Sequence, residues 1–578
     1  MVSFKSNALL VSARPFSHCM TIVAKLEPEG ASKSPNLADA TGKWVRFACV
    51  FALLLAIGFS TFVRLRWRNM PLERDEGEFA YAGQLMLQGI PPYKLASNMK
   101  LPGTYAAYAA IMAVFGETSG GIRTGLIFAN IATTILVFFL GKYLYGWLAG
   151  TVAGMTYSFL SCRPAVLGFY AHATHFVVLA ALAGVLLLMY AIKTQRSALY
   201  FGGGFCLGMA FLMKQPGIFF TVFAGCYWLW REWKRPAGWR AFALRGSALF
   251  AGIALPFGVT CLLLYRAGVF SNFWFWTWSY AREYGSIATW PDARNALRAF
   301  LPWVVRPFVI WEVIALGLIA PLWSRYAREH WGFVTSFFLF SCLAICPGFY
   351  FRPHYFILVL PAAALCAGIA VSAAQRGLQK KQSASLIAWF PVIYFAFAFA
   401  ISARGEYRKY FRFDPNLVVQ KIQPGEAFPE AAMVGAYLEA HSSVGETIGV
   451  LGSEPEICFY SERPCASSYV YLYPLLEKQK FAGQMQNEMM RQIQESHPAF
   501  LVFVDDMRSW GSEAQLAENR AFVEWAWAYT QRGYELVNQV PIAGLAEPVK
   551  GGRARLYVFR RAGPQVASAP FARLGGQR

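Results

Sequence analysis

Charge is what this 578-residue chain has least of: only 15% of its residues are Asp, Glu, Lys or Arg, against about a quarter in an ordinary soluble domain. Acids are the scarcer sign, 32 against 53 bases, and there are seven histidines. With 56% hydrophobic and 17% aromatic residues, this composition excludes a soluble enzyme on a single anchor and describes an integral membrane protein. The net charge of +21 does not point to nucleic acid. Most bases in the apolar part sit in short loops between apolar runs, where they act as topology signals. The eleven cysteines are scattered, most of them in apolar runs as small buried side chains. Cys458 and Cys465 differ: they lie in a polar tail, where a disulfide requires an extracytoplasmic location. The tail lacks a G-x-G-x-x-G after a strand. Residues 1–43 lack an apolar signal core with a small-residue cleavage site and read as a flexible cytoplasmic arm.

What is abundant is apolar sequence. Runs at about 44–65, 121–141, 147–168, 174–192, 198–213, 216–230, 242–265, 302–323, 331–348, 355–373 and 384–402 predict eleven spans, since a spanning helix needs about 20 residues. The segment 103–115 is too short to cross, reaching about 20 Å at about 1.5 Å per residue. It reads as an interfacial helix. With the amino terminus inside, the inner loops carry Lys142; Lys193 and Arg196; Arg231, Lys234, Arg235 and Arg240; Arg325 and Arg328; and Arg376, Lys380 and Lys381. That is a positive-inside pattern, opposed locally by Arg64, Arg66 and Arg68. An odd span count places everything after residue 402 outside. The division expected is a transmembrane core at 44–402 with an outer loop at 66–120, an extracytoplasmic α/β domain at 403–565, and a flexible tail at 566–578. Strands are expected at 446–452, 457–460, 499–506, 534–537 and 555–560, and helices at 475–494 and 512–528. The role expected of this domain is a lid or scaffold.

The candidate chemistry begins at Glu73-Arg74-Asp75-Glu76-Gly77-Glu78, an acidic run in an acid-poor chain. Acids in a first turn favour the helix dipole, and Glu76 and Glu78 read as supporting charges. Neighbours on a helix point about 100° apart, so one of Asp75 and Glu76 enters a cleft while the other holds position. Asp75 is the candidate to deprotonate an acceptor or to hold a metal. Four further elements fall on the same face: Tyr93 to Lys100; His172 and His175, three apart on one helix face; Lys214-Gln215; and Arg352-Pro353-His354-Tyr355. Lys100, Lys214, Arg352 and His354 suit a lipid-linked phosphate. Tyr81, Tyr93, His172, His175, Gln215 and Tyr355 read as cavity lining. No cofactor is assigned beyond a divalent metal, which the two histidines could hold with a carboxylate. The aromatic loop 270–290 suits a membrane interface or a platform for sugar or lipid.

Four stretches carry a resemblance: Arg74-Asp-Glu-Gly-Glu-Phe-Ala-Tyr-Ala-Gly83; Asn98-Met-Lys-Leu-Pro-Gly-Thr-Tyr105 with Phe115-Gly116; Met213-Lys-Gln-Pro-Gly217; and Phe351-Arg-Pro-His-Tyr-Phe356. In these the chain resembles the GT-C type membrane glycosyltransferases that use polyprenyl-phosphate-linked sugars, near the protein mannosyltransferase and lipid A aminoarabinose transferase group. Gly452 to Tyr460 and Ala466 to Tyr471 resemble the extracytoplasmic domain of bacterial members. The resemblance implies a polytopic α-helical fold and two surface helices, near 77–88 and 103–115. It also implies an essential acid at Asp75, inversion at the sugar carbon, and a bacterial inner-membrane location. The implied partners are a polyprenyl-phosphate-linked donor, membrane lipids and an extracytoplasmic acceptor, whether protein, lipid A, glycolipid or polysaccharide. The family's Lys-Pro pair is here Lys100-Leu101-Pro102. A transporter or flippase for a lipid-linked glycan is the alternative, or a non-catalytic component of envelope assembly.

Overall fold

Apolar helices dominate residues 38–407 of the computed structural model, which describes residues 38–562 apart from 235–237, 307, 382–385, 415–417, 545 and 551. The expected tail at 566–578, most of the amino-terminal arm and Arg235 lie outside the described residues. The helical part runs α1 (Ala38–Arg66), α2 (Arg74–Leu87), α3 (Gly103–Phe115), α4 (Ser119–Leu160), α5 (Ala173–Thr194), α6 (Ser197–Met213), α7 (Gly217–Lys234), α8 (Trp239–Arg266), α9 (Trp290–Val304), α10 (Phe308–Ile319), α11 (Trp331–Leu343), α12 (Leu360–Lys381) and α13 (Phe390–Tyr407). Among the described residues, five helices are long and apolar enough to cross a membrane: α1, α4, α5, α8 and the run that contains α13. A sixth is reached if the bent pair α9 and α10 counts as one. This corrects the eleven spans expected from hydropathy, which counts apolar residues and does not see where helices stop. The run at 198–213 is a helix of 17 residues, and that at 331–348 gives one of 13.

The runs at 121–141 and 147–168 meet within α4, which turns back at Gly146, where φ is 81°. The turn brings its arms together so closely that a Cβ on Gly141 would sit 2.9 Å from the Cα of Gly150. Close backbone approach recurs between α6 and α8, where a Cβ on Gly204 or Gly208 would strike the carbonyls of Leu249 and Ile253. Lipid offers no hydrophobic drive for helix association, so small residues and tight contact do that work.

The two ends of the bundle differ. At one end the basic loops meet: Tyr145 donates to the Ala327 carbonyl at 2.9 Å and the Arg376 guanidinium lies 4.0 Å from the Tyr326 ring centroid. At the other end arginines turned into the protein tie the chain reversals together. Arg64 donates to the Ser161 carbonyl at 2.7 Å and also to Gly168. Arg66 donates to the carbonyl of Phe413 at 3.0 Å, and Arg163 pairs with Glu406 at 3.1 Å. Arg64 and Arg66 opposed the charge rule because they serve as internal donors.

The remaining chain forms α14 (Phe428–His441), β1 (Ile448–Leu451), α15 (Glu456–Ser461), α16 (Ala482–Ser496), β2 (Phe500–Asp505), α17 (Arg520–Thr530), β3 (Tyr534–Pro541) and β4 (Arg555–Arg561). The sheet order is β1-β2-β4-β3, with β1 parallel to β2 and the other pairs antiparallel. Alternation along β2 sends Phe500, Val502 and Val504 toward α14. It sends Leu501 and Phe503 into a second apolar cluster that also holds Phe79, Tyr105 and Tyr108 of α2 and α3. The domain is thus packed onto the loop that carries the acidic run. Residues 457–460, expected as a strand, belong to helix α15; a four-residue apolar run does not distinguish the two by periodicity. The helix expected at 475–494 starts at Ala482, and that at 512–528 is split at Asn519 into Glu513–Glu518 and α17. Cys458 and Cys465 are joined in a disulfide, their Cα atoms 5.8 Å apart.

Candidate active site

The acidic run starts α2 with a capping box: the Glu73 carboxylate accepts from the Glu76 amide at 2.9 Å, and Glu76 accepts from the Glu73 amide at 3.3 Å. Glu76 is fully buried, pairs with Arg123, and accepts from the Ala171 amide at 2.6 Å. It therefore pins the loop and does not reach the cavity. Asp75, about 100° round the helix, does. It lines a cavity of about 680 Å³ between the helical part and the C-terminal domain, together with Lys100, His172, Lys214, Gln215, Arg352, His354 and Tyr355.

Within this cavity the two oxygens of Asp75 have different surroundings. Oδ1 accepts from Lys100 Nζ at 2.7 Å and from the Tyr471 hydroxyl at 3.1 Å. Oδ2 lies 3.9 Å from His172 Nδ1 and 3.9 Å from His354 Nε2. Burial opposes ionisation of Asp75, but the Lys100 ammonium holds the carboxyl well below its ordinary value. Burial pushes His172 down to about 3 and His354 well below the usual histidine range. Both rings are therefore neutral, stacked with centroids 4.0 Å apart. One ligand atom from each of Asp75, His172 and His354 lies within 4.8 Å of the others. Both His172 nitrogens are buried without a hydrogen-bond partner. Two neutral imidazoles and a carboxylate suit a divalent ion such as zinc, so this trio could hold one. His175, expected beside His172, is not in it: a turn further along α5, it is buried among other groups.

The cations divide into two kinds. Lys100 bonds Asp75 and also pairs with buried Glu78 at 2.5 Å, which in turn accepts from Tyr105 at 2.6 Å. It orients the two acids while still lining the cavity. Lys214 and Arg352 make no ion pair among the described residues; they face the Tyr355 ring at 4.2 Å and the Tyr350 ring at 5.6 Å. Burial pushes the Lys214 ammonium down to about 7. Gln215 donates to the Met99 carbonyl at 2.7 Å and fixes the two loops against each other.

Three residues expected in the lining, His175, Tyr81 and Tyr93, are elsewhere. The Tyr81 hydroxyl accepts from the Cys465 amide at 2.8 Å, and the Tyr93 hydroxyl donates to the Lys100 carbonyl at 2.7 Å. Both phenols are spent on holding backbone. Sequence reading missed the wall that the C-terminal domain supplies: Tyr471, Tyr473, Glu477 and Arg508. Arg74 ties that wall down, donating to the Tyr473 hydroxyl at 2.7 Å and pairing with Glu454 at 2.9 Å. Nothing in the order of residues marks a tyrosine nearly 400 positions downstream as a neighbour of Asp75; only the tertiary packing does.

Residues 100–264 match the family model described as dolichyl-phosphate-mannose-protein mannosyltransferase. No curated protein matches the chain in sequence. Two crystal structures of ArnT from Cupriavidus metallidurans share its fold. The one bound to undecaprenyl phosphate has a TM-score of 0.52 at 16% identity, over 89% of this chain and 99% of that one. The apo structure has a TM-score of 0.54 at 17% identity, over 91% and 100%. This multi-pass membrane protein thus shares the fold of ArnT over most of its length, and over residues 100–264 its sequence is similar to the mannosyltransferase family.

Proposed function

We propose that the protein transfers a sugar from a polyprenyl-phosphate-linked donor to an acceptor on the face that carries the C-terminal domain, with inversion at the anomeric carbon. The observation that carries this reading is a single cavity holding an ionised carboxylate and two cations without carboxylate partners, Lys214 and Arg352. Buried or rim cations are costly unless an anion completes them, and a guanidinium fork matches phosphate oxygens. The crystallised relative with undecaprenyl phosphate bound supports that ligand class here. The positive-inside pattern puts the cavity on the periplasmic face of a bacterial inner membrane.

In this mechanism Lys214 and Arg352 bind the donor phosphate. Asp75 Oδ2, the oxygen that Lys100 and Tyr471 leave open, takes the proton of an acceptor hydroxyl or amine as that atom attacks the anomeric carbon. The bond from that carbon to the phosphate oxygen breaks on the opposite side, and the two cations compensate the charge left on the phosphate. One displacement inverts the centre. Asp75, His172 and His354 could instead hold a divalent ion, which would supply positive charge there, with Oδ2 then a ligand and not the base.

The test is transfer of labelled sugar by the purified protein to a panel of acceptors: protein, lipid A, glycolipid and polysaccharide. Label is expected in one acceptor class. The D75N variant should lower transfer at least about 1,000-fold while still binding donor. Wild-type turnover by D75N would remove Asp75 from the mechanism. Movement of the donor across vesicles without covalent transfer would assign a transporter instead.

A further inference from the structure

The segment from Cys465 to Tyr473 leaves the C-terminal domain and lies along the loop that carries Asp75. Its attachments are specific. The Cys465 amide donates to Tyr81 at 2.8 Å, and the Ser97 amide donates to the Ser468 carbonyl at 2.8 Å. The Leu472 amide donates to Ser453 at 2.9 Å, and the Tyr473 hydroxyl donates to the Arg508 carbonyl at 2.8 Å while accepting from Arg74. The Cys458–Cys465 disulfide anchors the start of the segment to α15. Between these fixed points the Tyr471 hydroxyl donates to Asp75 Oδ1 at 3.1 Å, and the Lys100 ammonium sits 5.1 Å from the centroid of the same ring.

We infer that Tyr471 is a positioning residue for Asp75, so that the C-terminal domain is a working part of the site and not only a scaffold. The inference rests on the transferase reading for its kinetic consequence, and on geometry for the contact itself. A carboxylate can turn about its Cβ–Cγ bond and present either oxygen. Lys100 and Tyr471 both occupy Oδ1, from different elements, and together they fix the plane of the group and direct Oδ2 toward His172 and His354. Lys100 alone is shared with Glu78 and could follow that acid; the phenol, held by its segment, cannot. The phenol also closes one wall of the cavity. Binding of donor through Lys214 and Arg352 needs none of this, whereas the direction of the reacting oxygen does.

The experiment compares Y471F with Y469F in the full-length protein. Tyr469 lies on the same segment, but its hydroxyl donates to Glu488 at 3.0 Å within the C-terminal domain. Y471F should lower kcat about tenfold, the scale of one hydrogen bond to a charged group, with KM for the donor little changed. Y469F should keep wild-type values. A wild-type kcat in Y471F, or equal losses in both variants, overturns the inference. A second measurement does not depend on turnover: labelling of Asp75 by a water-soluble carbodiimide, located by peptide mass spectrometry. Y471F should raise it severalfold and Y469F should not. Equal labelling in all three proteins overturns the contact. If the labelling pattern holds while the wild type transfers no sugar to any acceptor, the transferase reading fails and the positioning of Asp75 stands.

Discussion

Lys214 ends α6 at the edge of the cavity, and the protonation of that one side chain makes a measurable difference to donor affinity. With its ammonium pushed down to about 7, it is cationic below that value and neutral above it. Glu477 in the same cavity, pushed up to about 7 by burial, becomes anionic over the same range. Both changes disfavour an anion, so affinity for a phosphodiester donor, whose own charge is constant there, should fall between about pH 6 and about pH 8. Bound phosphate raises the lysine's pKa, so the midpoint lies somewhat above 7. K214R keeps its charge, and its affinity measured over that range should change less than that of the wild type. At this scale Asp75 is legible in the sequence because four acids in six positions stand out in a chain with few acids, and helical geometry separates it from Glu76. The pairing of Lys100 with Glu78 is not legible, because a lysine between two acids and a lysine facing a phosphate read alike until their distances are known.

Between residue and molecule, the element that joins the two halves is α2 against α15. Gly77 in the first turn of α2 has no conformational need to be glycine; a Cβ there would lie 2.7 Å from the backbone nitrogen of Glu456. G77A should therefore push α15 away and cost about 1–3 kcal/mol of overpacking, read as a lower Tm of the purified protein. Activity should fall with it, because α15 leads through the disulfide to the segment that bears Tyr471. Sequence reading finds elements of this kind unevenly. The short helix 103–115 was legible to the residue, since its length and apolar composition leave little else. Residues 457–460 were misread as a strand, since four apolar residues carry no period. Hydropathy likewise located the apolar runs but not their breaks, as at the junction of α9 and α10.

For the molecule as a whole, the charge pattern and the packing agree on two ends: basic loops meet at one, and the acidic loop, the cavity and the C-terminal domain meet at the other. A reporter active only outside the cytoplasm, fused beyond Arg561, should be active. Activity of a cytoplasmic reporter there would reverse the face assigned to the cavity. The surplus of bases could be read from composition, and their placement in loops from the sequence. That Arg64 and Arg66 are exceptions could not, because an arginine bonded to carbonyls and a loop arginine facing lipid headgroups look the same in one dimension.

The hydrogen bond from Tyr471 to Asp75 spans 396 residues. During synthesis the segments that bear Asp75, Lys214 and Arg352 are made first, so a chain stopped at the end of α13 already holds the cations and the acid. What it lacks is the wall that fixes the acid's orientation and separates the cavity from water. On the function proposed, such a chain would carry the groups for holding a donor without the wall that orients the acid, and competence would await the packing of the last part of the chain onto the first.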